Sequence, residues 1–140
     1  MCFVEAPQGL PVEAKSRLHE KLNRAVYGAY GIADIRTYIR EYSLENAAQS
    51  GRADGKPIRP ICILVGPQLR RLDKRRRLVA EITAALIEAY GQIANVDNET
   101  VFINEYASHD IGWLNRLHRV QPEVVERSRL LNSWVPAPPP

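Results

Sequence analysis

The strongest constraint on the fold of this chain is that it repeats itself. Adding 60 to the early residue numbers aligns Cys2 with Cys62, Pro7 with Pro67, Gln8 with Gln68, Glu13 with Asp73, Lys15 with Arg75, Arg17 with Arg77 and Leu18 with Leu78. The match continues through Leu22 with Ile82, Ala25 with Ala85, Val26 with Leu86, Ala29 with Ala89, Tyr30 with Tyr90 and Gly31 with Gly91. After four extra residues in the second half, the register resumes at an offset of 64, pairing Tyr38-Ile39-Arg40-Glu41-Tyr42 with Phe102-Ile103-Asn104-Glu105-Tyr106. Two in-phase halves of this length call for two copies of one supersecondary unit.

Each half reads as strand, helix, strand. Short apolar runs at 1–6 and 61–65 are each followed by a proline, which limits a strand because it cannot donate to the ladder. Ala14, Leu18, Leu22, Ala25 and Ala29, and then Leu78, Ile82, Ala85, Leu86 and Ala89, recur at helical spacing and make one apolar stripe per half. Tyr-Gly ends both helices, the glycine standing where a left-handed cap costs least. The second strands are expected at 36–42 and 100–106. A strand, a helix of this length and another strand imply a parallel pair with a right-handed crossover. The expected fold is therefore α+β: two tandem β-α-β units forming a four-stranded mixed sheet with two helices on one face. The wholly apolar run Ile61-Cys62-Ile63-Leu64-Val65 predicts that the other sheet face is covered too, and a domain this small has no further layer to supply. Another subunit is the expected cover.

The chain is 140 residues long and 45% hydrophobic, enough for a single domain with its own core. Unit one is expected over 1–51, a linker over 52–59 and unit two over 60–118, so that 1–118 form the domain and 119–140 an extension. Residues 46–56 carry turn signals of a hairpin plus linker, 123–131 could form a short helix, and the proline-rich end has no regular means of packing. No apolar run approaches the roughly 20 residues of a membrane span, and the first residues have no basic stretch before an apolar one, so the expected location is the cytoplasm. The two cysteines lack metal-ligand spacing and lie in apolar runs, where they read as core packing rather than as a zinc site or a disulfide framework. Net charge is +3, and the basic residues bunch in Arg70, Arg71, Lys74, Arg75, Arg76 and Arg77, of which Lys74 to Arg77 are most simply the solvated face of the second helix. Stacking aromatics are not interleaved with that cluster, so nucleic acid is not an expected partner. His19, His109 and His118 form no ligand or triad spacing and are assigned no chemistry.

The stretch Val101-Phe102-Ile103-Asn104-Glu105-Tyr106 followed by Ile111-Gly112-Trp113 resembles macrophage migration inhibitory factor. Gly9-Leu10-Pro11-Val12-Glu13-Ala14-Lys15 and Ile39-Arg40-Glu41-Tyr42-Ser43 resemble the units of 4-oxalocrotonate tautomerase (4-OT) and of trans-3-chloroacrylic acid dehalogenase. The resemblance, to the tautomerase superfamily, covers about residues 1–118. It implies a homotrimer, a small carboxylate substrate and no cofactor or metal. It also implies proton transfer on a 2-oxo or 2-hydroxy unsaturated carboxylate by an amino-terminal amine, usually that of a proline. An α-amino group titrates near neutrality and is tuned by burial and by arginines, and arginine clamps a carboxylate bidentately. By position, Arg70 and Arg36 match the family's arginines. Met1 carries the amine, while Phe102, Asn104, Ile111 and Trp113 match the pocket lining.

The departures are as specific as the matches. Extended backwards, the repeat aligns Pro60 with a position before Met1, so a start one Met-Pro earlier is expected for an active enzyme. The first-half counterpart of Arg70 is Leu10, and the dehalogenase's water-activating glutamate falls on Gln49, which cannot act as a base. Two readings stand side by side: a tautomerase, or a catalytically silent binding module on the same fold.

Overall fold

The computed structural model describes residues 1–52, 57–97, 100–106 and 126, together with the backbone of 112–113 and 116–117. Unit one is β1 (Cys2–Pro7), α1 (Val12–Tyr30) and β2 (Thr37–Tyr42). Unit two is β3 (Ile61–Pro67), α2 (Leu72–Tyr90) and β4 (Thr100–Tyr106). A two-residue ladder, β5 (Gly112–Trp113) with β6 (Arg116–Leu117), follows and was not foreseen in the sequence. Both prolines expected to end the first strands are instead their last residues, a position where the missing donor does no harm. The helix expected over 123–131 and the proline-rich end lie outside the described residues, as do 53–56 of the linker. The hairpin is present: Gln49 and Arg52 bridge across a turn in which Ser50 and Gly51 are left-handed.

The sheet runs β2-β1-β3-β4, parallel within each unit and antiparallel between β1 and β3, which makes it mixed. Phe3 pairs with Ile63, its own counterpart at an offset of 60. A pseudo-dyad therefore passes between these two residues and relates one unit to the other.

One sheet face and both helices enclose the core. Cys2, Val4, Ala6, Cys62 and Leu64 alternate inward and meet Leu18, Leu22, Ala25 and Val26 of α1 and Leu78, Ile82, Ala85 and Leu86 of α2, all buried. Tyr30 and Tyr90, at matching helix ends, are fully buried as well. Gly66 is what admits the first of them. A Cβ at position 66 would stand 3.3 Å from both the Cζ and the hydroxyl oxygen of Tyr30. Gly66→Ala is expected to destabilise the chain by about 1–3 kcal/mol, the cost of overpacking an enclosed ring. Chemical denaturation measures it, and an unchanged midpoint would show that Tyr30 has room to yield.

The helix ends differ from the sequence reading at one place. Gly31 caps α1 in the left-handed conformation, as expected, but Gly91 stays right-handed with φ −57°. The chain there continues into a further turn, Ile93 and Ala94 both donating their N–H to the Tyr90 carbonyl, which uses the extra residues of unit two.

Among the described residues nothing covers the opposite sheet face. Phe3, Glu5, Ile61, Ile63 and Val65 are partly exposed there, and Tyr38 and Phe102 are exposed on the flanking strands. On this face Tyr38 stacks on Phe3 with centroids 5.1 Å apart, while Arg40 lies 4.5 Å over the Phe3 ring and 3.1 Å from the Glu5 carboxylate.

Candidate active site at the start of the first strand

Strand direction decides what can meet. Because β2 is parallel to β1 and β3 antiparallel to it, the start of β1, the start of β2 and the end of β3 share one end of the sheet. The α-amine of Met1 donates to the Val65 carbonyl at 2.8 Å, and the Val65 N–H donates to the Met1 carbonyl at 2.8 Å. On the other side the Cys2 N–H donates to the Arg36 carbonyl, also at 2.8 Å. Met1 is thus held between the strand that Arg36 precedes and the strand that leads to Arg70.

The amine opens on a small pocket of about 70 Å³, lined among others by Met1, Tyr30, Asp34, Gly66, Pro67 and Tyr106. Burial is the main cause that holds the amine below its ordinary value of 8.0, and the Arg36 charge adds to this, while Cys2 and Asp34 oppose it. Burial, with the Glu105 charge behind it, pushes the Tyr30 phenol up to about 12, and its hydroxyl has no hydrogen-bond partner among the described residues. Tyr106 is also pushed up by burial. Asp34, Tyr30 and Tyr106 were not singled out from the sequence; Tyr30 and Tyr106 were visible there only as members of the repeat.

Arg70 reaches this end because of the loop that follows β3. Leu69 is wholly buried, its N–H donates to Glu105 Oε1 at 2.8 Å, and its carbonyl accepts from the Arg75 guanidinium, which also pairs with Glu105. The next residue, Arg70, is consequently turned to the surface. In unit one the anchor falls one place later. Gly9 takes φ +123°, a value that side chains rarely adopt, and Leu10 is the buried residue whose N–H donates to Glu41. Glu41 also pairs with Lys15 at 2.6 Å, as Glu105 pairs with Arg75. The two loops have equal length but unequal conformation, so Leu10 corresponds in role to Leu69, and unit one offers no counterpart of Arg70.

Phe102 and Asn104 stand apart from the small pocket. They pair with Ile63 and Val65 and are exposed on the uncovered sheet face, on the opposite side from Val101 and Ile103, which pack on the core. Asn104 nevertheless lies beside Val65, whose carbonyl receives the amine. Ile111 and the side chain of Trp113 lie outside the described residues. Much of the basic cluster meets acid or backbone: Arg71 pairs with Asp73 at 2.7 Å, Arg77 with Glu81 at 2.7 Å, Arg75 with Glu105, and Lys74 donates to the Ala29 carbonyl. His19 bonds Thr37 through Nδ1, a link between α1 and β2. Among the described residues no group of His, Cys, Asp and Glu could hold a metal ion, and no helix is long and apolar enough to cross a membrane.

No protein-family model matches the chain. No curated protein matches it either. Solved structures do. A native fused 4-OT superposes with a TM-score of 0.74 at 22% identity, over 86% of this chain and 97% of its own. A wild-type fused 4-OT solved as an asymmetric trimer gives 0.73 at 22% identity, over 86% and 98%. Macrophage migration inhibitory factor of Toxoplasma gondii gives 0.66 at 13% identity, over 83% and 97%. The likeness extends over nearly the whole of each of these proteins.

Proposed function

We propose that this chain, whose fold is that of the tautomerase superfamily, is an acid/base catalyst that moves a proton between carbons of a small 2-oxo or 2-hydroxy unsaturated carboxylate. The observation that carries the reading is the place of the amine: at the head of β1 it is held at a pocket, with burial and Arg36 both favouring its neutral form, and a proline one residue earlier would bring a secondary amine to the same end of the sheet. In that form it removes a proton from the substrate carbon and returns it one or two bonds away. Arg70 holds the carboxylate, and Arg36 faces the charge that develops on the dienolate oxygen. Phe102, Asn104, Ile111 and Trp113 complete the lining.

A volume of about 70 Å³ is well below the several hundred Å³ usual for a small-molecule site. The uncovered sheet face carries Phe102 and Asn104, so a neighbouring copy packed there would add the missing walls. The assembly proposed is a homotrimer, the state in which a fused 4-OT of this fold was solved. Light scattering on the purified chain at micromolar concentration should give three times the monomer mass, and a monomer would overturn this assembly. The chemistry is tested by following a dienol carboxylate as it ketonises, with deuterium incorporation from solvent at the new carbon–hydrogen bond. Absence of acceleration over buffer, combined with retained binding of a carboxylate, would favour the silent binding module instead.

A further inference from the structure

The duplication brings together a second pair of reactive groups, to which the reaction assigned to the amine gives no part. Cys2 and Cys62 occupy the same place in the two units, have no exposed surface, and stand on the helix-covered face of the sheet. Cys2 lies opposite Leu64 and Cys62 opposite Val4, which makes the two diagonal neighbours across β1 and β3. Their sulfur atoms are 3.4 Å apart, close enough for one thiol to donate to the other. Neither is in a disulfide, and the chain has two cysteines in all.

We propose that Cys2 and Cys62 are a redox modification site, at which a small peroxide closes an intramolecular disulfide that ties the two units together across their pseudo-dyad. The proposal is independent of the reaction assigned to the amine. In the first step the Cys2 thiolate attacks a peroxide oxygen, the O–O bond breaks, and a sulfenic acid and one water are formed. In the second the Cys62 thiolate attacks the Cys2 sulfur, the S–O bond breaks and the second water leaves. Two S–H bonds are lost and one S–S bond is made, while the peroxide takes up two electrons and two protons.

Three features of the site favour this outcome. The sulfurs must close from 3.4 Å to about 2.05 Å, a short approach between side chains that already touch across two paired strands, one of them on the first residue of its strand. Met1, which precedes Cys2, and Leu64, which lies opposite it across the sheet, both line the pocket beside the amine, so the buried Cys2 is one residue removed from an open pocket. The Cys62 hydrogen bond outweighs burial and holds the Cys2 thiol below its ordinary range, which raises the share of the nucleophilic thiolate.

The test uses the full chain, reduced and then exposed to hydrogen peroxide at a small molar excess. The intact mass should fall by about 2 Da, the two hydrogens of the thiols, with the change reversed by dithiothreitol. Peptide mapping should join the Cys2 and Cys62 peptides within one chain. The melting temperature should rise by roughly 5–10 °C, as expected when a loop of this length is closed. Cys62→Ser should show no such loss and should instead gain oxygen at Cys2. The proposal is overturned if the wild-type protein gains oxygen on one sulfur while the other stays titratable, or cross-links only between chains. It is equally overturned if both thiols survive a treatment that oxidises the unfolded chain.

Discussion

Acetylating the α-amine of Met1 is expected to lower kcat by roughly 100- to 10,000-fold, the contribution of a positioned acid/base group. The modification removes basicity and leaves the scaffold intact, because the acetylated nitrogen keeps an N–H with which to donate to the Val65 carbonyl. The pH profile of the unmodified protein supplies the sign. The amine must be neutral to take a proton, and burial with Arg36 lowers its pKa from 8.0. So kcat/KM should climb as pH rises through a value below 8.0, then level off, and this limb should vanish on acetylation. Arg36→Ala removes the charge that adds to burial in lowering the amine, which moves the limb to higher pH. Activity that survives acetylation would take the amine out of the mechanism.

Replacing Arg70 with alanine should reduce kcat/KM for a carboxylate substrate by about 2–4 kcal/mol, roughly 30- to 1,000-fold. The loss is that of a charge-assisted, bidentate contact, and it should be small for an uncharged amide of the same substrate. Stability should change little, because Arg70 is exposed and the buried Leu69 anchors the loop through Glu105. A variant with unchanged kinetics would remove Arg70 from the site. Equal losses on acid and amide would assign it a role in shaping the pocket instead of holding charge.

The topology was legible because duplication turns one ambiguous pattern into two that must agree. The stripe from Leu18 to Ala29 is matched by that from Leu78 to Ala89, and both became 19-residue helices with those residues inward. Proline content misled at the strand ends, since Pro7 and Pro67 close their strands from inside. Tyr-Gly was read as one signal, yet Gly91 departs from Gly31 because the residues after it, not the dipeptide, decide whether the helix reverses or runs on. At the site, the resemblance pointed to Arg36, which precedes the strand beside Met1, while the offset compared Leu10 with Arg70, although in the fold Leu10 takes the place of Leu69. Residue counting compares numbers, whereas the loop conformation is set by which leucine is buried, and a positive φ at Gly9 is needed to bring Leu10 inward. Asp34 is invisible to pattern because nothing in its neighbours' types tells that the start of β2 lies beside the amine. The cysteines were correctly read as core, but a single strand cannot reveal that its cysteine touches its own duplicate.

The pseudo-dyad has a consequence for how the two halves can change over generations. Near the axis a residue meets its own copy, as Phe3 meets Ile63 and Cys2 meets Cys62, so a new side chain at one position alters the environment of its twin. Far from the axis the twins never meet, and each is free to take its own course. The loops after β1 and β3 are at that distance, and there one half acquired a glycine-led bend while the other presents an arginine. Fusing two units into one chain thus lets a symmetric scaffold carry asymmetric loops, with inheritance coupled at the centre and uncoupled at the rim.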